Sequence, residues 1–142
     1  MNSTAPDTRT VVLERTFPHT PETLWSALTE GHLLAEWLMN NNFEPVTGRE
    51  FQFRAQPVPH WDGVIDCKVL VIDPLKTLSY TWRSMGLDSV VLFTLSPTSD
   101  GTHLRVEHSG FRPDQHAAFQ GATFGWQKFF TSLERLLDRK LA

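Results

Sequence analysis

An α+β fold follows from the sequence: a curled antiparallel sheet of about six strands wrapped around one long C-terminal α-helix, with two short helices after the first strand. Three observations predict it. Period-two alternation of apolar and polar residues recurs in six segments between residues 10 and 111. The later segments are joined by short turns, which builds an antiparallel meander. After Pro113-Asp114 the apolar period lengthens to that of a helix running to about residue 140. Such a sheet has one apolar face, and a single long helix can cover it in a second layer. The sheet must twist to wrap the helix, and a pocket opens where the two diverge.

Each element has its own signal. Residues 1–9 are small and polar and read as a flexible N-terminal tail, leaving 10–142 as a single domain. "TVVLERTF" (10 to 17) is a β-branched strand ended by Pro18 and Pro21. Thr20 is placed as an N-cap with Pro21 in the first helical position of "PETLWSALTE". Leu24, Trp25 and Leu28 share one side of that helix, and Gly31 is expected to stop it. "HLLAEWLM" forms a second short helix, and "NNNFEPVTG" is turn-rich. Strands follow at "REFQFRAQ", "DGVIDCKVLVID", "KTLSYTWRS", "DSVVLFTLSP" and "HLRVEHSGF", with a hairpin turn at Asp100-Gly101. The last helix carries Trp126, Phe129, Phe130, Leu133, Leu136, Leu137 and Leu141 as its core stripe.

Composition excludes several functions. The chain has 142 residues, the size of one domain, and 40% are hydrophobic, enough for a core. A formal charge of -3 argues against a nucleic-acid binder. Cys67 is the only cysteine, so no internal disulfide forms and a reducing compartment is expected. The polar N-terminus lacks an apolar signal core and no apolar run is long enough for membrane insertion, so a soluble, cytoplasmic protein is expected. The histidines lack metal-ligand spacing and no glycine loop cradles phosphate, so neither metal nor cofactor is expected.

The stretch "GATFGWQKFF" (121 to 130) raises the functional question. Glycine costs about 1 kcal/mol against alanine inside a helix, yet Gly121 and Gly125 stand one turn apart among bulky aromatics. Gly121, Ala122 and Gly125 would leave space over the sheet for a ligand, with Phe119 and Phe124 flanking it. Alternatively, the glycines let a strand pack close or mark a kink. Trp37, Trp61 and Trp82 are candidates for the cavity wall, each equally able to fill core volume with its indole N–H bonded to a carbonyl. Trp25 and Trp126 are assigned to core. Met39, Phe53 and Phe93 join the wall candidates. Inward-facing His108 and Tyr80 could orient a ligand, and His108 could serve as a general base, although a hydrogen-bonded core histidine is the commoner case. Trp61, in the proline-rich loop "QPVPHWDG", is either a lid over the cavity or a surface patch for a partner or a homodimer.

Three stretches carry a family resemblance: "RTFPHTPETLWSALTEGHLLAEWL" at the start, "VLVIDPLKTLSYTW" in the middle, and "GTHLRVEHSGF" with "GWQKFFTSLERLL" at the end. From Thr10 to Lys140 the chain resembles the helix-grip, START-like superfamily (SRPBCC) of lipid-binding domains, birch-pollen-type allergens, polyketide cyclases and coenzyme Q-binding proteins. Within it, the chain looks like the branch named for the C-terminal domain of the heat-shock protein 90 ATPase activator. The resemblance implies a hydrophobic cavity between curled sheet and C-terminal helix, holding lipids, polyketides or other apolar aromatics. The leading expectation is therefore non-catalytic binding of a small hydrophobic molecule. A cyclase/aromatase-like enzyme using the same cavity is one alternative. A co-chaperone or stress-response partner is another, weakened because the activator's additional N-terminal domain finds no room here.

Overall fold

The computed structural model describes residues 8–141, with side chains over 8–139. Residues 1–7 of the expected tail and the side chain of Leu141 lie outside the described residues. Arg9, placed in the tail from sequence, instead opens the first strand. The elements are β1 (Arg9–Phe17), α1 (Pro21–Thr29), α2 (Gly31–Trp37), β2 (Asn40–Asn41), β3 (Glu50–Arg54), β4 (Val64–Asp73), β5 (Thr77–Ser84), β6 (Leu87–Thr98), β7 (Gly101–Phe111), a 3-10 turn (Pro113–Gln115) and α3 (His116–Leu141).

The seven strands form one antiparallel sheet in the order β1-β7-β6-β5-β4-β3-β2. β2 to β7 run as a meander, and β1 closes the far side by pairing with β7, Leu13 opposite Val106. About six strands are expected from sequence; the seventh is the two-residue β2, which pairs Asn40 with Arg54 inside the segment expected to be turn. Asn41 secures it, its side chain donating to the carbonyls of Gly31 and Met39 and accepting from the Phe43 amide.

Thr20 caps α1 as expected, accepting from the Thr23 amide at 3.2 Å. Gly31 does not terminate α1 but begins α2: the chain breaks at extended Glu30, and a Cβ at Gly31 would meet the Asn41 side chain at 3.1 Å. A β-bulge at Leu70 in β4 reverses the alternation, so Val69 is buried while Val71 faces solvent. At the β6–β7 hairpin glycine is obligatory: a Cβ on Gly101 would stand 2.0 Å from the Phe17 carbonyl oxygen.

The inward face of the sheet carries Phe53, Ile65, Cys67, Tyr80, Trp82, Val91, Phe93, Leu104, Val106 and His108, all buried. Trp126, Phe130, Leu133, Leu136 and Leu137 of α3 pack against it. Trp25 is half-buried at the core's margin. The burial is unevenly distributed along α3. Its C-terminal half is clamped to the core, whereas residues 116–125 contain no buried side chain. That difference opens the site.

Candidate functional site

A cavity of about 850 Å³ lies under the N-terminal half of α3. The helix supplies a stripe at intervals of three and four residues: Ala118, Gly121, Ala122, Gly125, Trp126 and Phe129. Five of these six positions fall within or beside the stretch that drew attention in the sequence. The bulky end of the stripe, Trp126, is buried core and cavity floor at once. The small end stands off from the sheet. A Cβ built on Gly121 meets nothing within 4 Å, and one on Gly125 meets only the Phe129 ring edge at 3.9 Å. The glycines therefore do not serve close packing of a strand; they border empty space.

The sheet supplies the opposite wall through Ile65, Trp82, His108 and Phe111. Leu38 and Met39, after α2, close one side. The loop before β4 closes another with Ala55, His60 and Trp61. Trp61 is fixed rather than loose: its indole N–H donates to Ser84 Oγ at 2.7 Å, and that hydroxyl donates to the Val64 carbonyl at 2.9 Å. Gly63 allows the loop to return to β3, since a Cβ there would lie 2.3 Å from the Ala55 carbonyl oxygen. The β5–β6 turn forms the rim, with Met85 in a left-handed conformation (φ 49°) and 66% exposed. Gln115 bridges this rim to the start of α3, donating to the Gly86 carbonyl at 3.2 Å.

His108 is the most polar group on the inner wall, and its hydrogen bonds define its state. The Trp126 indole N–H donates to His108 Nδ1 at 3.0 Å. An acceptor Nδ1 leaves the proton of the neutral ring on Nε2, which donates to Ser89 Oγ at 2.8 Å. Ser89 in turn donates to the Trp82 carbonyl at 2.7 Å. Burial pushes the His108 pKa down to about 3. Both ring nitrogens are occupied and the ring is neutral, an arrangement suited to holding α3 on the sheet rather than to moving protons.

Of the residues singled out from sequence, Met39, Trp61, Trp82, His108, Gly121, Ala122 and Gly125 border this cavity. The others do not. Trp37 is buried core, its indole N–H donating to the Ala27 carbonyl at 2.9 Å. Phe53, Tyr80 and Phe93 are fully buried and stack among themselves, with ring centroids 5.9 and 6.0 Å apart about Tyr80. The Tyr80 hydroxyl is enclosed, without a partner among the described residues and away from the cavity wall, so it orients nothing there. Phe119 turns toward β7 and β1, edge-on to Phe111 at 5.6 Å and beneath the Arg9 guanidinium. Phe124 is 65% exposed, because two residues of helix rotate it about 200° away from Ala122 and Trp126. Sequence reasoning missed Ala118, Ile65, Phe111, Phe129 and the Met85 rim. The first and fourth were readable by extending the glycine stripe at helical spacing; the rest depend on how far the sheet curls. Cys67 is buried on the Ile65 and Val69 face, where burial raises its thiol pKa. Among the described residues no three His, Cys, Asp or Glu side chains gather as a metal site, and no helix is long and apolar enough to cross a membrane.

Comparison with known proteins agrees with this architecture. A family model described as Activator of Hsp90 ATPase homolog 1-like protein matches residues 18–138. The crystal structure of MLL2253 from Mesorhizobium loti superposes with a TM-score of 0.89 at 54% identity, covering 94% of this chain and 100% of that one. DynU16, from the dynemicin biosynthetic locus, gives 0.78 at 24% identity over 94% of this chain and 48% of its own. CalU16 from Micromonospora echinospora gives 0.78 at 21% identity over 92% of this chain and 76% of its own. The last two are likenesses of fold. No curated protein matches the chain. The curled seven-stranded sheet gripping a C-terminal helix is the helix-grip architecture expected from the resemblance.

Proposed function

The chain belongs to the family of Activator of Hsp90 ATPase homolog 1-like proteins, and we propose that it binds a small hydrophobic or aromatic molecule, without catalysis, between its sheet and its C-terminal helix. The observation that carries this reading is the cavity of about 850 Å³ whose helical wall is Ala118, Gly121, Ala122 and Gly125. Its size is that of pockets which enclose drug-sized ligands. Its helical wall sacrifices helix stability at two glycines with no packing gained in return. A cyclase-like enzyme would need a base on this wall, and His108, the inner candidate, has neither a free nitrogen nor a pKa near neutrality.

Thermal unfolding against a panel of lipids and polycyclic aromatics tests the reading. A ligand at a hundred times its Kd adds about 2.7 kcal/mol, on the order of 10 °C in midpoint for a domain of this size. Gly125→Leu separates binding from stability. The leucine fills the cavity, so ligand shifts vanish, while the loss of a helical glycine raises the midpoint of the free protein. A panel that shifts neither protein contradicts the reading and directs attention to a chaperone ATPase assay.

A further inference from the structure

Resting on the binding reading above, we infer that the cavity selects uncharged, planar aromatic molecules carrying a hydrogen-bond acceptor, and that the indole N–H of Trp82 is the donor that reads it. Two observations converge on this. The first is charge. Among the described residues no Asp, Glu, Lys or Arg side chain borders the cavity, and the only titratable groups there are exposed His60 at the rim and His108, whose two nitrogens are both engaged. A carboxylate or phosphate drawn into such a wall loses its water and gains no counter-charge. An ammonium would find aromatic faces but no counter-charge.

The second observation concerns the polar atoms that remain. The N–H groups of Trp61 and Trp126, the hydroxyl of Ser84 and the Gln115 amide already donate within the protein, and His60 stands exposed at the rim. Trp82 differs. Its indole N–H makes no hydrogen bond to any described residue, yet it is not sealed away, since the Tyr80 hydroxyl is the enclosed side-chain polar atom left without a partner among the described residues. Trp82 is 8% exposed, and the cavity is the space its ring borders. A donor left open on a wall of Trp61, Phe111, Trp126 and Phe129 rings favours an aromatic ligand that offers one acceptor at that point and hydrocarbon elsewhere. Trp82 is held for this role by rings on two sides, Phe53 at 5.5 Å and Trp126 at 5.7 Å.

Four anthracenes substituted at the same ring position provide the test: acetyl, isopropenyl, carboxylate and trimethylammonium. Titration followed by tryptophan fluorescence at neutral pH should place acetyl about fivefold tighter than its isopropenyl isostere, the worth of one net hydrogen bond. The carboxylate should bind at least about a hundredfold more weakly than acetyl, and the trimethylammonium more weakly than either neutral compound. In Trp82→Phe the acetyl-to-isopropenyl ratio should collapse to about one. Ala118→Lys, at an exposed position on the cavity's helical wall, should recover carboxylate binding by about tenfold through an added ion pair. Carboxylate binding as tight as acetyl in the unmodified protein, or an acetyl preference that survives in Trp82→Phe, overturns the inference. Should Trp82→Phe fail to fold, the ranking in the unmodified protein and the Ala118→Lys recovery still decide it. If none of the four binds the unmodified protein, the binding reading itself fails and the inference fails with it, an outcome distinct from binding in the wrong order.

Discussion

Single residues carry the clearest energetic consequences. Gly121 and Gly125 weaken α3, and the space above each accepts a methyl group. Gly121→Ala and Gly125→Ala should each raise the unfolding free energy of the free protein by about 1 kcal/mol, measured by urea denaturation. A loss instead would mean that these glycines serve packing. Gly101 is the opposite case. A methyl there collides with the Phe17 carbonyl, and Gly101→Ala should cost about 3 kcal/mol or more by the same measurement. The Tyr80 hydroxyl is buried without a partner among the described residues, and burial raises its pKa well above the ordinary tyrosine value. Removing an unsatisfied group leaves nothing orphaned, so Tyr80→Phe should be neutral or stabilising by up to about 1 kcal/mol. These assignments show where sequence legibility ended. Inward-facing strand positions could be read from alternation, so His108 and Trp82 were placed on the correct face. Phe53, Tyr80 and Phe93 share that face, but alternation does not say which inward residues border the cavity and which pack among other rings, as Phe93 does between Trp37 and Trp126.

At the scale of elements, one hydrogen-bond chain joins α3 to three strands, from Trp126 through His108 and Ser89 to the Trp82 carbonyl. It fixes a pH dependence. The His108 pKa is about 3 in the folded protein against the ordinary 6.5, so below pH 6.5 the unfolded chain takes up a proton that the native chain refuses. Above that value His108 contributes no slope. As pH falls from about 6.5 toward 3, its contribution to stability should decline by about 1.4 kcal/mol per pH unit. His108→Gln stays neutral throughout, and urea midpoints across this range should fall less steeply in the variant; equal slopes would mean His108 is not held neutral. The long helix and the main strands were legible because their periods are long and regular. β2 was not, because its two-residue pairing is held in place by Asn41 side-chain bonds to the Gly31 and Met39 carbonyls that no local pattern announces. Nor was the bulge at Leu70, since "KVLVID" reads as apolar on both faces.

The whole molecule is a grip in which the C-terminal half of α3 is clamped and the other half is held away. An aromatic ligand that removes about 400 Å² of apolar surface from water, ligand and wall together, gains about 10 kcal/mol before association costs of at least about 4 kcal/mol, which places affinity in the tens of micromolar. The existence of a cavity could be argued from the glycines and the two-layer architecture, whereas its true lining depended on the curl of the sheet and on the side of α3 to which each aromatic rotates. The most direct test follows the indole N–H signals of the five tryptophans by NMR while acetylanthracene is added. Trp61, Trp82 and Trp126, which border the cavity, should shift together with one saturation curve. Trp25 and Trp37, which do not border it, should stay in place, and all five should be indifferent in Gly125→Leu. Signals that do not respond, or a response centred on Trp25 and Trp37, would contradict it.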